Sequence, residues 1–237
     1  MPNHTVKAFD QELAELKRGI GDMGRLAEQQ LTKALDALAR RDTEFAERII
    51  AGDQEIDDLE LAVEWQATQV IVKRQPMASD LRQIMVAIRI ASDLERIGDL
   101  AKNLAKRTRA LTDAIAPSAI TGVGRMGNLA LQQLHGVLDA YARDDADRAV
   151  EIWRSDEDID TVYNSVFREL LTYMMEDPRT IGQATHLMFA AKNMERIGDH
   201  CTNIAENIYY VVHGRPLAGE RPKGDETSTM PVDFGPE

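Results

Sequence analysis

Phe9, Leu13, Leu16, Ile20, Met23, Leu26, Ala27, Leu31, Ala34, Leu35 and Leu38 recur at intervals of three and four. That spacing lays one apolar stripe along an α-helix of roughly eight turns. Arg41-Asp42-Thr43 breaks the pattern, and Asp42 or Thr43 is placed to cap a short helix from Glu44 to Ala51. Gly52 interrupts again, and Asp53 caps a helix running to about Arg74. Pro76 marks the next boundary, ahead of a helix from about Ala78 to Leu111. Beyond a linker around Ala116-Pro117-Ser118 the plan repeats. A helix runs from about Ile120 to Arg143, turns fall at Asp144-Asp145 and near Ser155-Asp156, and a further helix reaches Met175. A last helix ends near Val212, and Asp177 as cap with Pro178 in the first helical position marks its start. Val70-Ile71-Val72 is too short for a strand and lies within helical periodicity.

The repetition extends to residue identities. Leu94-Glu95-Arg96-Ile97-Gly98-Asp99 returns as Met194-Glu195-Arg196-Ile197-Gly198-Asp199, one hundred positions on, and Ala91, Asn103 and Ala105 return as Ala191, Asn203 and Ala205. Earlier segments match at an offset of 103: Leu35-Asp36-Ala37 with Leu138-Asp139-Ala140, and Asp53-Gln54-Glu55-Ile56-Asp57 with Asp156-Glu157-Asp158-Ile159-Asp160. A three-residue length difference therefore sits between the second and third long segments of each copy. The pattern predicts an all-α protein, a tandem duplication of two antiparallel three-helix bundles over residues 1–115 and 119–213. From Gly214 to Glu237 the composition turns to Gly, Pro, Lys, Glu, Ser and Thr, and this segment is expected to be a disordered tail.

Charge narrows the partners. A formal net charge of −12 makes nucleic acid a poor ligand and favours cations or basic protein surfaces. One cysteine, Cys201, leaves no internal disulfide framework and reads as a small buried apolar residue in a reducing compartment. The N-terminal residues lack the pattern of a signal peptide, and no apolar run approaches the ~20 residues of a membrane span. The expectation is a cytoplasmic protein that meets a membrane only through partners.

The best-matched parts of the repeat are acidic. Each unit carries two pairs of carboxylates four residues apart: Asp53/Asp57 and Glu95/Asp99 in the first, Asp156/Asp160 and Glu195/Asp199 in the second. Such pairs stack on one helix face with Cβ atoms ~5–6 Å apart, and like charges there repel. Leu81, Ile84, Ile88 and Ala91 lie on the helical line of Glu95 and Asp99, and Ile181, Ala184, Met188 and Ala191 precede Glu195 and Asp199 in the same way. An apolar stripe thus turns acidic halfway along the helix in both copies. Gly98 and Gly198 offer no side chain to hold a neighbouring helix away. If the Asp53/Asp57 and Asp156/Asp160 helices are those neighbours, each unit gathers four carboxylates, the ligand set of hard cations such as Mg, Ca, Mn and oxidised iron.

A solvated acidic face is the alternative, since a second apolar line (Val86, Ile90, Ile97, Leu104) could face the core instead. Lys102 and Lys106 could neutralise the first unit's carboxylates, whereas Thr202 and Glu206 stand there in the second. The five histidines lie off the acidic line, and the Glu-x-x-His spacing of di-iron oxidases is missing. No phosphate loop or nucleophile elbow appears. A metal-dependent hydrolase or oxidase using the carboxylates is therefore the second reading, behind a non-enzymatic one. Arg82, Arg89 and Arg96 read as a solvated basic line, and Met174, Met175, Trp65 and Trp153 as core or interface residues.

Three further motifs, Lys73-Arg74-Gln75-Pro76 with Ala78-Ser79-Asp80-Leu81-Arg82, both Glu-Arg-Ile-Gly-Asp segments, and the run from Thr172 to Ile181, closely resemble the PhoU family over about residues 5–213. The resemblance implies multinuclear metal clusters held by Asp53, Asp57, Glu95, Asp99, Asp156, Asp160, Glu195 and Asp199, with iron, Mn, Mg or Zn as the metal. It also implies a homodimeric negative regulator of phosphate uptake and of the phosphate regulon. Its expected partners are the ATPase subunit of a phosphate ABC transporter and a phosphate-sensing histidine kinase.

Overall fold

A computed structural model of the chain describes residues 2–52, 54–111, 117–219, 221 and 224. Among them are eight α-helices and no strand. The first unit contains α1 (Pro2–Arg40), α2 (Thr43–Ala51), α3 (Gln54–Arg74) and α4 (Ser79–Thr108). The second contains α5 (Pro117–Arg143), α6 (Ala146–Arg154), α7 (Asp156–Glu176) and α8 (Ile181–His213). Three long helices build each bundle, with α2 lying against α1 and α4, and α6 against α5 and α8.

The apolar stripes point where the spacing says they should. Leu16, Ile20, Met23, Ala27, Leu31, Ala34 and Leu38 of α1 are all buried, while Phe9, Leu13, Leu26 and Leu35 pack at the margin of the core. In α3 and α7 the same register recurs, with Ile56, Val63, Ala67 and Val70 matched by Ile159, Val166 and Leu170. Leucine-, isoleucine- and alanine-rich faces of α4 and α8 supply the rest.

Local punctuation repeats as well. The Asp42 carboxylate accepts from the Phe45 N–H at 2.8 Å, and the Asp145 carboxylate from the Arg148 N–H at 2.9 Å. Just before each cap, Arg41 (φ 54°) and Asp144 (φ 55°) take left-handed backbone. The following amides close the long helices, Asp42 N–H onto Ala37 O and Asp145 N–H onto Ala140 O, the double-bonded C-terminal turn usually built on glycine. The three-residue length difference falls between α3 and α4. There the first unit uses Gln75 and Ala78, both at positive φ, and the second uses a single 3-10 turn over Pro178–Thr180. Asp177 caps that turn rather than an α-helix, and α8 begins only at Ile181.

The two bundles share one core. Helix α4 packs along α8 and α1 along α5, so the duplicated units face each other about a pseudo-two-fold axis. Contacts between α1 and α5 are reciprocal. A Cβ on Gly24 would stand 2.3 Å from Leu138 Cδ2, and one on Gly127 would stand 2.2 Å from Leu35 Cδ2. Both glycines are therefore required by close approach. Across α4 and α8, Asp93 takes hydrogen bonds from His200 (2.9 Å) and Asn203 (3.3 Å).

Of the residues read as core or interface, Trp65 is 66% exposed and Met175 is 68% exposed, so both lie outside the core. Within the segment expected to be a tail, the described residues lie against the second bundle. Leu217 packs on the core, Gly219 lies over Trp153, and Arg221 and Gly224 hydrogen-bond to it. Residues 220, 222–223 and 225–237 lie outside the described residues, as do Ala116 of the linker and Asp53.

Candidate functional site

Helix α3 is the neighbour of the first acidic line and α7 of the second. A Cβ on Gly98 would meet Ile56 Cδ1 at 2.9 Å, and one on Gly198 would meet Ile159 Cδ1 at 2.9 Å and Asp156 Oδ1 at 3.3 Å. The glycines let each helix approach closely enough to bring its carboxylates alongside the other pair.

In the first bundle Glu95 is largely buried and Asp99 is partly exposed, with Asp57 near enough to disfavour ionisation of Glu95. Burial, and then the Asp99 charge, push the Glu95 carboxyl above the usual range. Glu60, absent from the duplicated pattern, joins the group. Its own carboxyl is raised by burial first and then by Glu64, and it adds to the field at Glu95. Arg96 Nε stands 3.2 Å from Glu95 Oε2 without the alignment of a hydrogen bond, leaving that buried oxygen without a donor. Lys102 pairs with Asp99 at 3.4 Å, whereas Lys106 turns to Asn103. Arg96 is 58% exposed, as the solvated line implies, and also reaches Glu95 and Asp99.

The second cluster is more enclosed. Asp156, Asp160 and Glu195 are all buried, at 3%, 4% and 6% exposure, and Asp199 stands at the rim. Lys192 Nζ pairs with Glu195 Oε1 at 2.9 Å, but Glu195 Oε2 and the neighbouring Gln133 Oε1 have no hydrogen-bond donor. Burial pushes the Asp156 carboxyl up to about 6, against the opposing pull of Arg221. Glu195 is raised for the same first reason, against its bond to Lys192. Into this group reaches Arg221, whose guanidinium donates to Asp156 Oδ2 (3.0 Å from Nε), Asp199 Oδ1 and Thr202 Oγ1. Gly224 N–H donates to Asp160 Oδ2 at 2.7 Å, and Asn164 Nδ2 donates to Gly224 O at 2.6 Å.

Helical pairing therefore brings Asp57 with Glu95 and Asp99, and Asp156 and Asp160 with Glu195 and Asp199. As arranged, no three His, Cys, Asp or Glu side chains among the described residues are gathered tightly enough to hold one metal ion. The donor chemistry nonetheless fits a hard cation: both sets are carboxylates, and in the second bundle a buried Glu195 oxygen has no donor. The histidines with ion-pair partners turn elsewhere, His135 to Glu28 and His200 to Asp93. Cys201 is fully buried, and burial drives its thiol far above the ordinary range, as suits an inert core residue.

The architecture and its paired acidic faces define a class: duplicated all-helical proteins with one carboxylate cluster per bundle and no evident catalytic constellation. The PhoU domain family matches residues 20–108 and 123–208, one match in each bundle. The chain is 53% identical over 228 residues to the phosphate-specific transport system accessory protein PhoU homolog of Rhizobium meliloti (strain 1021), covering 96% of both chains. It is 40% identical over 212 residues to the phosphate-specific transport system accessory protein PhoU of Escherichia coli (strain K12), covering 90% of this chain and 88% of that one. The crystal structure of PhoU from Pseudomonas aeruginosa superposes with a TM-score of 0.84 at 37% identity, covering 87% of this chain and all of that one. That of the phosphate transport system regulatory protein PhoU from Streptococcus pneumoniae gives 0.83 at 32% identity, covering 89% and 99%. This chain belongs to the PhoU family.

Proposed function

We propose that this protein is a non-enzymatic accessory regulator of phosphate transport, restraining phosphate uptake and the phosphate regulon when phosphate is plentiful. The observation that carries this reading is the near full-length kinship, over both bundles, with proteins named as accessory and regulatory components of phosphate transport. It would act in the cytoplasm, as a homodimer, linking the ATPase subunit of the phosphate transporter to a sensor histidine kinase. No helix among the described residues is long and apolar enough to cross a membrane, so contact with the bilayer would run through those partners. A chain of −12 net charge suits basic partner surfaces, and such contacts weaken as salt rises.

Metal is part of the same reading. Asp53, Asp57, Glu95 and Asp99 would hold one centre and Asp156, Asp160, Glu195 and Asp199 the other, with iron, Mn, Mg or Zn as the ion. Bound cations would neutralise two crowded acidic faces and fix α3 against α4 and α7 against α8. The buried Glu195 oxygen without a donor is the feature that favours cation binding over a merely solvated face.

Deleting the gene tests the regulatory reading. Phosphate-regulon expression in phosphate-rich medium should rise in the deletion strain and return to repression on complementation. Unchanged repression in the deletion strain would refute it.

A further inference from the structure

Superposing the two bundles on their repeat leaves one charge out of place. In the first, Asp99 is paired three residues on by Lys102. The second bundle has Thr202 at that position, a buried hydroxyl that donates to Gly198 O and Asp199 O and carries no charge. The missing cation arrives from elsewhere in the chain: Arg221 donates to Thr202 Oγ1 and to Asp199 Oδ1, and its other bond goes to Asp156. Other described residues near it are seated too: Leu217 packs on the core, a Cβ on Gly219 would stand 3.8 Å from Trp153 Cη2, and Gly224 is held at both its N–H and its carbonyl.

We propose that Arg221 is the resident counter-cation of the second acidic cluster, a latch that holds the C-terminal segment down and that a multivalent metal ion must displace. The proposal rests on the metal reading of that cluster given above. Asp156 and Asp199 cannot offer the same oxygens to a guanidinium and to a metal at once. Glu195 Oε2 lies buried and without a donor on a side chain only 7% exposed, a lone pair that Arg221 leaves unused and an ion would take. Metal uptake at the second cluster and release of Arg221, with Gly224 beside it, are therefore one exchange equilibrium, in which the guanidinium stays protonated and moves into solvent. The first cluster, with its own Lys102 and Arg96, has no such coupling. The two halves of the duplication thus divide into a self-contained site and a switched one.

Trp153 reports the exchange, because it is buried under Gly219 and the only other tryptophan, Trp65, is exposed in the first bundle. The test uses the full chain carrying W65F, with E95Q and D99N to silence the first cluster. R221Q is compared with R215Q, which removes the same charge from an exposed position in the same segment. In metal-free protein, R221Q should shift Trp153 emission to the red and raise its acrylamide quenching several-fold, and R215Q should not. Mn(II) binding, read from the EPR signal of the free ion, should be about tenfold tighter in R221Q than in R215Q if the latch is closed nine-tenths of the time. Saturating Mn(II) should bring the R215Q chain to the Trp153 exposure of R221Q. Unchanged Trp153 exposure in metal-free R221Q overturns the latch itself. Trp153 opening with no gain in Mn(II) affinity overturns the exchange and, where neither chain binds Mn(II), the metal reading of the second cluster with it.

Discussion

Substituting Asp156 with Asn isolates the electrostatic cost of the second cluster. Asp156 is 3% exposed, and burial raises its carboxyl from 3.8 in the free state to about 6, even with Arg221 pulling the other way. Between those two values the folded chain binds more protons than the unfolded one, so stability falls as pH rises through the window. Below the lower value both states are protonated and the penalty is absent; above the upper one it is complete. At ~1.4 kcal/mol for each tenfold change in proton affinity, the penalty at neutral pH is on the order of 3 kcal/mol. Asparagine keeps a carbonyl oxygen for Arg221 and removes the charge. Repulsion from Asp160 and Asp199 is part of that penalty and goes with the charge, while Arg221 loses a charged partner. Urea melts followed by far-UV circular dichroism in chelator, from pH 4 to 7.5, measure it. The D156N chain should match the parent near pH 4 and gain stability over it progressively up to about pH 7. A difference between the two chains that does not change with pH would refute the argument, and would mean that Arg221 fully offsets the burial.

Other outcomes follow from the same geometry. E195Q with D199N should abolish metal at the second centre and leave the first loaded, as elemental analysis of protein purified without chelator would record; unaltered metal content would reject the assignment. In G127A the new methyl would drive into Leu35, 2.2 Å from Cδ2 and 2.7 Å from Cδ1, costing about 1–3 kcal/mol against a helix-propensity gain of up to ~1 kcal/mol. A lower melting temperature, partly restored by L35A in the same chain, is expected, and a more stable G127A would be inconsistent with the packing described. D93A should cost about 1–2 kcal/mol by stranding His200 and Asn203, and adding H200A to it should cost little more; additive losses would show that the pair is not coupled.

How far the sequence could be read depended on whether a feature was periodic or repeated. The α1 stripe and its counterparts were legible because three-then-four spacing has one structural solution at that length; Asp42 was one of two candidate caps, and Asp145 was legible only as part of a turn. The pairing of acidic faces followed from the glycine beside each Asp. Features present once escaped. Glu60 sits three residues after Asp57 on the same helix face, but its counterpart is Tyr163, so comparing the repeats discarded it. Arg96 is solvated as read, but its pairing with Glu95 and Asp99 escaped because helical angle alone says nothing of how far a long side chain reaches. Trp65 and Met175 show that apolarity does not oblige burial when a helix has already filled its inner face. The contacts beyond Gly214 come from four residues, Leu217, Gly219, Arg221 and Gly224, meeting a preformed surface, which composition cannot register.

The reciprocal glycine–leucine contacts of α1 and α5 carry a wider consequence. In a symmetric dimer every contact occurs twice, residue i on j and j on i, and Gly24–Leu138 with Gly127–Leu35 is that relation inside a single polypeptide. The protein behaves as a dimer whose subunits have been joined, so its halves are freed from the obligation to stay alike. A true homodimer cannot place a histidine opposite an aspartate without doing so a second time, yet this chain has His200 facing Asp93 with Leu100 and Asn193 at the mirrored positions. Joined in one chain, the two halves are no longer bound by symmetry and present a front and a back that differ.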